Sequence, residues 1–299
     1  MAMFPVRAKK NLGQHFLRDE EIARRVAATL DKAPPFPVLE VGPGTGMLTR
    51  FLLEQEREVT VVEVDRESVD YLNEHYPQLH GKILHQDFLR MDIDAHFNGS
   101  FSVIGNYPYH ISSQIFFKVL DNRDIIPFCS GMIQKEVAER LVAPPGCKAY
   151  GILSVLLQAW YDIEYLFTVD KHAFIPPPKV TSAVVRLTRN KRRRLACNEK
   201  LFKTVVKTGF NQRRKMLRNS LKLLLSDENP MPDDPLLTKR PEQLSVKEFE
   251  TLTNLLEPWV KVKLVSLETP GTFDEEVPPK ALEPLPEQAK PKVPEPLPG

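Results

Sequence analysis

The apolar run Val38-Leu39-Glu40-Val41 passes without a break into Gly42-Pro43-Gly44-Thr45-Gly46 and then into the helical pattern Met47–Glu54. A strand, a glycine turn and a helix in direct succession admit few folds. Glycines let the chain reverse sharply and bring its backbone close to whatever it faces. The same alternation continues downstream. The β-rich run Val59–Val64 precedes a helical stretch, Arg66–His75; strand-like Lys82–His85 and Phe101–Ile104 follow, and Ser112–Leu120 reads as a helix. Strands alternating with helices imply βαβ units on a parallel sheet, an α/β fold.

Phe128–Gln134 and Ala183–Leu187 also read as strands, with the helix-like Tyr150–Ala159 between them and Pro176-Pro177-Pro178 ahead of the second. Ala183–Leu187 is expected to close the sheet as an antiparallel edge. From about Asn190 the character changes. Asn198–Phe210 and Arg213–Leu225 are helical, basic and amphipathic, and Ser245-Val246-Lys247-Glu248 is a capping box opening a helix toward Leu256. These limits predict an α/β domain over residues 1–190, a small all-α domain over 191–267 and a tail over 268–299. The tail has nine prolines in 32 residues, many acids and few large apolar side chains, so it is expected to be disordered. The overall charge of +2 conceals a tail at −4 and a body at +6, with basic residues bunched at Arg186–Arg194 and Lys203–Lys222. A basic body suits a polyanionic partner.

The spacing Gly42-x-Gly44-x-Gly46 differs from the dinucleotide pattern, because Met47 stands where that pattern needs a small residue. A loop holding a nucleoside and its amino-acid appendage is favoured over one holding pyrophosphate. Glu63 ends the next strand, where a carboxylate can accept both ribose hydroxyl protons. Asp65 competes for that role and is also a candidate N-cap for the following helix. Asp87, in His85-Gln86-Asp87-Phe88, can accept the amino proton of a cofactor adenine; Phe88 either covers that ring or joins the core.

The strand Phe101–Ile104 leads into Asn106-Tyr107-Pro108-Tyr109. These residue types suit one task. An exocyclic adenine nitrogen is a poor nucleophile, since its lone pair is delocalised into the ring. The Asn106 side-chain oxygen and a backbone carbonyl next to Pro108 can accept its two hydrogens, drawing it toward tetrahedral geometry and aiming it at a sulfonium methyl. Tyr109 can stack on the base, and Pro108 stiffens the loop so that its acceptors are preorganised.

Composition narrows the rest. Three cysteines, Cys129, Cys147 and Cys197, are odd in number and too far apart for a zinc pattern, so reduced thiols and no metal are expected. No apolar run approaches the ~18 residues that span a bilayer. Arg7, Lys9 and Lys10 precede Asn11-Leu12-Gly13-Gln14 and not a signal-peptide core, so a cytoplasmic protein with no membrane partner is expected.

Seven segments occur in order: Asn11–Leu17, Glu40–Gly46, Glu63, Gln86-Asp87, Asn106–Tyr109, Phe174–Val180 and Phe210–Lys215. Together, across about residues 7–260, they resemble the KsgA-type rRNA adenine N6,N6-dimethyltransferase family. The resemblance implies a Rossmann-like class I methyltransferase domain with a small helical C-terminal domain, using S-adenosylmethionine. It implies as substrate two adjacent adenosines in the 3′-terminal hairpin loop of 16S rRNA, in an immature small subunit late in assembly, modified by a monomer. Carried over, the cofactor contacts fall on His15, Leu17, Gly42, Gly44, Glu63, Asp87 and Asn106, and the catalytic positions on Asn106, Pro108, Tyr109 and Phe174. Phe174 resembles an aromatic on the other face of the target base, with core packing as the alternative. Arg213, Arg214 and Lys215 fit phosphate contact. Three positions depart from the family pattern. His15 stands in place of asparagine, so it either makes a pH-sensitive contact to the methionine carboxylate or merely packs. Tyr107 replaces leucine and His110 replaces asparagine, which implies an altered base pocket. An Erm-type large-subunit enzyme, a non-catalytic RNA-binding scaffold and a nicotinamide-dependent oxidoreductase are the alternatives.

Overall fold

The computed structural model describes residues 6–225 and 231–260. The tail expected over 268–299, and the end of the 191–267 module, lie outside the described residues. The chain opens with a short strand β1 (Phe16–Leu17) and helix α1 (Glu20–Ala27), whose cap Asp19 accepts the Ile22 N–H at 3.1 Å. Next come β2 (Val38–Val41), α2 (Met47–Leu53), β3 (Val59–Glu63), α3 (Arg66–His75) and β4 (Ile83–His85). After them follow β5 (Ser102–Asn106), α4 (Ser112–Asp121) and β6 (Phe128–Gln134), then α5 (Lys135–Val142) and α6 (Ile152–Gln158). The sheet region ends with β7 (Tyr161–Val169), β8 (Phe174–Ile175) and β9 (Ser182–Arg189).

Seven strands form one sheet in the order β4-β3-β2-β5-β6-β9-β7. The first five are parallel. All four residues of β2 are buried, as expected of a central strand covered on both faces. From β2 the chain winds outward through β3 and β4, then returns to β5 and β6 on the other side. That reversal opens a crevice at the carboxyl ends of β2 and β5, the place where such sheets take ligands.

Strand β9 is antiparallel to β6, with Phe128 opposite Thr188 and Gln134 opposite Ser182. It is not the edge, however. Tyr161–Val169, for which no strand was expected, lies outside it as β7, antiparallel and carrying one bulge near Tyr165. The alternation of Tyr161, Ile163 and Tyr165 with Asp162 and Glu164 suits an outer strand, and Arg186 on β9 pairs with Glu164 at 2.8 Å. Separately, β1 and β8 pair as a two-stranded antiparallel ribbon, Phe16 opposite Ile175 and Leu17 opposite Phe174.

The later region contains α7 (Glu199–Asn211), α8 (Leu217–Ser220) and α9 (Val246–Leu256). Asn198 caps α7 through the Lys200 and Leu201 amides, both at 3.1 Å, and Ser245 with Glu248 forms the capping box of α9. Phe202 on α7 meets Trp160 edge-on at 6.1 Å and Phe249 at 6.5 Å, so these helices share a hydrophobic core with the sheet. Arg213–Leu225, expected as one helix, is broken. Only Leu217–Ser220 is α-helical, and Lys222–Leu224 is a 3-10 turn. The Leu217 amide donates to the Lys239 carbonyl at 2.8 Å, so it does not continue the ladder from α7. Among the described residues no helix is long and apolar enough to cross a membrane.

Candidate active site

A cavity occupies the crevice at the carboxyl ends of β2, β3 and β5. Its floor is the glycine turn 42–45 with Glu40, Met47 and Leu48; Glu63 and Val64 form one side and Asn106–Tyr109 another. Residues 12–17 cross it as the remaining wall. Gly44 explains the turn. Its φ is +56°, and a Cβ there would sit 2.8 Å from the Phe16 ring, so only glycine fits beneath β1. The Gly44 amide donates to Glu63 Oε2 at 3.1 Å, while Glu63 Oε1 accepts from the Val64 and Asp65 amides, both at 2.9 Å. Burial pushes the Glu63 carboxyl upward, and these three donors oppose the shift. They also fix its orientation and leave one lone pair, on Oε2, for a ligand hydroxyl.

Asp65 has a different occupation. Its carboxylate caps α3 through the Glu67 amide at 3.2 Å and accepts from Gln14 Nε2 at 2.9 Å and from Lys9. Glu40 lines the cavity at 1 % exposure and accepts from the Thr49 hydroxyl at 2.6 Å. Burial, with the Glu63 charge adding to it, pushes the Glu40 carboxyl up to about 8. Its one signal in the sequence was an acid inside an apolar strand.

In the loop after β5, the Asn106 amide donates from Nδ2 to the His15 carbonyl at 2.9 Å. A carbonyl can only accept, so Oδ1 is left as an acceptor with no hydrogen-bond partner among the described residues. Of the carbonyls flanking the Tyr107–Pro108 step, that of Pro108 accepts the Ile111 amide at 3.2 Å. The Tyr107 carbonyl accepts no hydrogen bond among the described residues. The Tyr107 ring is 1 % exposed and points into the core, not into the base pocket. It lies against Gly105 and Gly131, where a Cβ would come within 2.8 and 2.7 Å of it, and its hydroxyl donates to the Ser130 carbonyl at 2.7 Å. Its effect on pocket shape is therefore indirect. Tyr109 is half-buried, and its hydroxyl shares a hydrogen bond with buried Ser182 at the start of β9. Nothing in the sequence singled out Ser182.

His15 lines the cavity, stacks on Tyr109 with ring centroids 5.6 Å apart, and joins Nδ1 to the Pro176 carbonyl at 2.7 Å. Nδ1 therefore carries a proton in that contact. His110 covers Gly13, where a Cβ would lie 2.7 Å from its ring. Leu17 and Gly42 line the cavity as well. Phe174 does not. At 1 % exposure it packs in the core with Leu17, held there by the β1–β8 ribbon, so its ring presents no open face to a base. Asp87 also stands outside the cavity wall, two residues beyond β4, with Oδ1 accepting the Leu89 amide at 2.9 Å and Oδ2 3.7 Å from Arg90. In the distant turn after α7, Arg214 and Lys215 are exposed. Arg213 is half-buried, donating to the Cys147 carbonyl at 3.4 Å and lying 3.8 Å from Glu242. Among the described residues no cluster of three or more His, Cys, Asp or Glu is placed to hold a metal ion.

The chain matches the family described as ribosomal RNA adenine dimethylase over residues 6–256. It is 64% identical over 248 residues to the Ribosomal RNA small subunit methyltransferase A of Parabacteroides distasonis, covering 83% of this chain and 93% of that protein. Among solved structures, the 23S rRNA methyltransferase ErmE aligns with TM-score 0.59 at 28% identity, over 79% of this chain and 99% of that one. A dimethyladenosine transferase from Plasmodium falciparum aligns with TM-score 0.66 over 81% of this chain and 97% of that one; at 23% identity it speaks for the fold alone. A match across all the described elements but the last few residues, at this level of identity, is decisive: the chain belongs to the ribosomal RNA adenine dimethylase family.

Proposed function

We propose that the protein transfers methyl groups from S-adenosylmethionine to the N6 amino nitrogen of adenosines in ribosomal RNA. The observation that carries the reading is the fixed Asn106 amide, whose Oδ1 is left as an acceptor at the cavity. The cavity residues fit this cofactor. Glu63 faces a glycine turn whose Gly44 amide it already engages, with the buried carboxyl of Glu40 beside it, a setting that disfavours pyrophosphate and suits a ribose. Glu63 would hold a ribose hydroxyl, the turn at Gly42 and Gly44 would let the backbone approach, and His15 and Leu17 would cover the site. Bound there, S-adenosylmethionine supplies an electrophilic sulfonium methyl.

The protein's own contribution is positioning. Asn106 Oδ1 and the Tyr107 carbonyl accept the two amino hydrogens, so the nitrogen lone pair turns out of the ring plane toward the methyl. Tyr109, tied by Ser182 and backed by His15, stacks on the base, and Pro108 keeps the acceptors preorganised. Asp87, though outside the cavity wall, remains the proposed acceptor for the cofactor's adenine amino group. No strong base is needed before transfer, because a sulfonium is a sufficient electrophile.

The 64% identical relative, with its printed small-subunit name, supports a finer reading. The substrate is a pair of adjacent adenosines in the 3′-terminal hairpin loop of 16S rRNA, met in an immature small subunit in the cytoplasm by a monomeric enzyme. Loop adenosines are partly unstacked, which lowers the cost of extruding them. Within that reading residues 1–190 perform catalysis and residues 191–267 hold RNA, with Arg214 and Lys215 on phosphate; 268–299 is an acidic appendage.

Incubation with labelled S-adenosylmethionine and under-methylated small subunits, followed by mapping, is expected to place label on adenosines of that loop. Label on large-subunit rRNA would overturn the substrate, and no transfer would overturn the activity. Asn106→Ala is expected to abolish transfer while RNA binding persists; a large loss of RNA binding would contradict the role given to Asn106.

A further inference from the structure

One wall of the cavity, residues 12–17, belongs to a segment that is tied down at two ends. At its far end the ties are the Asn106–His15 bond and the β1–β8 ribbon. At its near end everything converges on Asp65. This carboxylate is 1 % exposed and has four donors: Lys9 Nζ and the Glu67 amide on Oδ1, Gln14 Nε2 and the Ser68 hydroxyl on Oδ2. Two of the four come from the segment itself. Lys9 also lies 3.0 Å from Glu67, and its amide donates to Gln14 Oε1 at 2.8 Å, so Lys9 and Gln14 are locked to one another as well as to Asp65. Burial would raise the Asp65 carboxyl, but the bonds from Lys9 and Gln14 outweigh it and hold the group below the ordinary carboxylate range. Those bonds are thus made to the charged form.

We propose that residues 9–17 are a strap over the methyl-donor site and that Lys9, Gln14 and Asp65 form its latch, Asp65 acting as a positioning residue for cofactor retention. This rests on the reading that the cavity takes S-adenosylmethionine. The geometry joins two functions in one corner. Glu63 faces the cavity, and Asp65, two residues later, turns to the strap while capping α3. The latch therefore fixes where Gly13 and Gln14 sit relative to Glu63, while the β1–β8 ribbon and the Asn106 bond keep His15 in place independently. Lys9 is part-exposed and lies on no strand of the sheet, so its loss releases the strap without unfolding the sheet.

The test measures S-adenosylmethionine binding by calorimetry and its dissociation by stopped flow, using the full chain. Lys9→Met is expected to raise the dissociation constant and the off-rate about tenfold, the scale of one charge-assisted hydrogen bond. The cofactor KM should rise in step, with kcat for saturated enzyme unchanged. Lys9→Arg should restore binding. Asp65→Asn keeps the helix cap, since asparagine is a strong N-cap, but turns a donor toward Lys9 or Gln14; it should show the same loss. The double variant should be no worse than either single variant. Variants within twofold of wild type, or losses that multiply in the double variant, would overturn the latch. Failure of the wild-type chain to bind the cofactor would instead overturn the cofactor reading, and the latch with it.

Discussion

Glu40→Gln is predicted to flatten the fall in stability that the cofactor-free protein shows as pH rises. Glu40 is buried within β2, where its donor is the Thr49 hydroxyl at 2.6 Å. Burial comes first among the causes that push its carboxyl from 4.5 up to about 8, with the Thr49 bond opposing and the Glu63 charge adding. Well below pH 4.5 the group is protonated in folded and unfolded chains alike and contributes no slope. Between 4.5 and about 8 the unfolded chain releases the proton while the folded chain keeps it, so stability declines as pH rises. At about 1.36 kcal/mol per unit, roughly 3 kcal/mol is lost by pH 7. Glutamine still accepts from Thr49 and does not titrate. Its new NH2 group adds a cost of about 1–3 kcal/mol that is independent of pH and displaces the curve without tilting it. Urea unfolding followed by circular dichroism, from pH 5 to 7.5 on both proteins, should show the variant gaining about 3 kcal/mol on the wild type. Glu63, raised in the same direction by burial, is present in both, so the difference isolates Glu40. Parallel profiles would refute the reasoning, since they would mean that Glu40 is ionised in the folded chain.

Four other outcomes follow from particular residues. Gly44→Ala forces a left-handed residue to carry a Cβ against Phe16, so it should lose about 2–3 kcal/mol of stability and at least about tenfold in cofactor affinity; urea titration and calorimetry measure the two, and unchanged binding would count against the packing of β1 on the turn. Tyr107→Phe gives up the bond to Ser130 and should cost about 1 kcal/mol of stability with the RNA KM unaltered. A changed KM would mean that the ring faces the base. Arg214→Ala should lower the salt slope of RNA binding by about one, as expected for one phosphate contact, at unchanged stability. Arg213→Ala should shift the urea midpoint instead, because Arg213 holds the Cys147 carbonyl and Glu242.

Local chemistry was sufficient for much of this protein. The strand–turn–helix at Val38–Leu53, the helix limits Arg66–His75 and the α9 capping box depend on near neighbours in the chain, and sequence period and cap residues report those directly. Candidate residues at strand ends, Gly42, Glu63 and Asn106, were legible for the same reason: a parallel sheet with one reversal brings the carboxyl ends of its strands together. The outer strand β7 carries an alternating pattern between a helix and a proline cluster, but its place beyond β9 depends on a pairing that sequence spacing does not report.

What only the tertiary structure decided is how each polar group is used. From the sequence, Glu63 and Asp65 were two acids of similar placement; folding gives one to the cavity and the other to Lys9, Gln14 and the α3 cap. The Tyr107 ring enters the core because two glycines on neighbouring strands leave room for it, and Phe174 is buried because β8 pairs with a two-residue strand far away in sequence. Asn106 was recognisable as an amide, but the His15 carbonyl determines which of its two ends is left to meet the substrate. Residue type and spacing determine the chemistry available to a chain. Long-range contacts determine which donors and acceptors are already satisfied, and only the unsatisfied ones are left for a ligand.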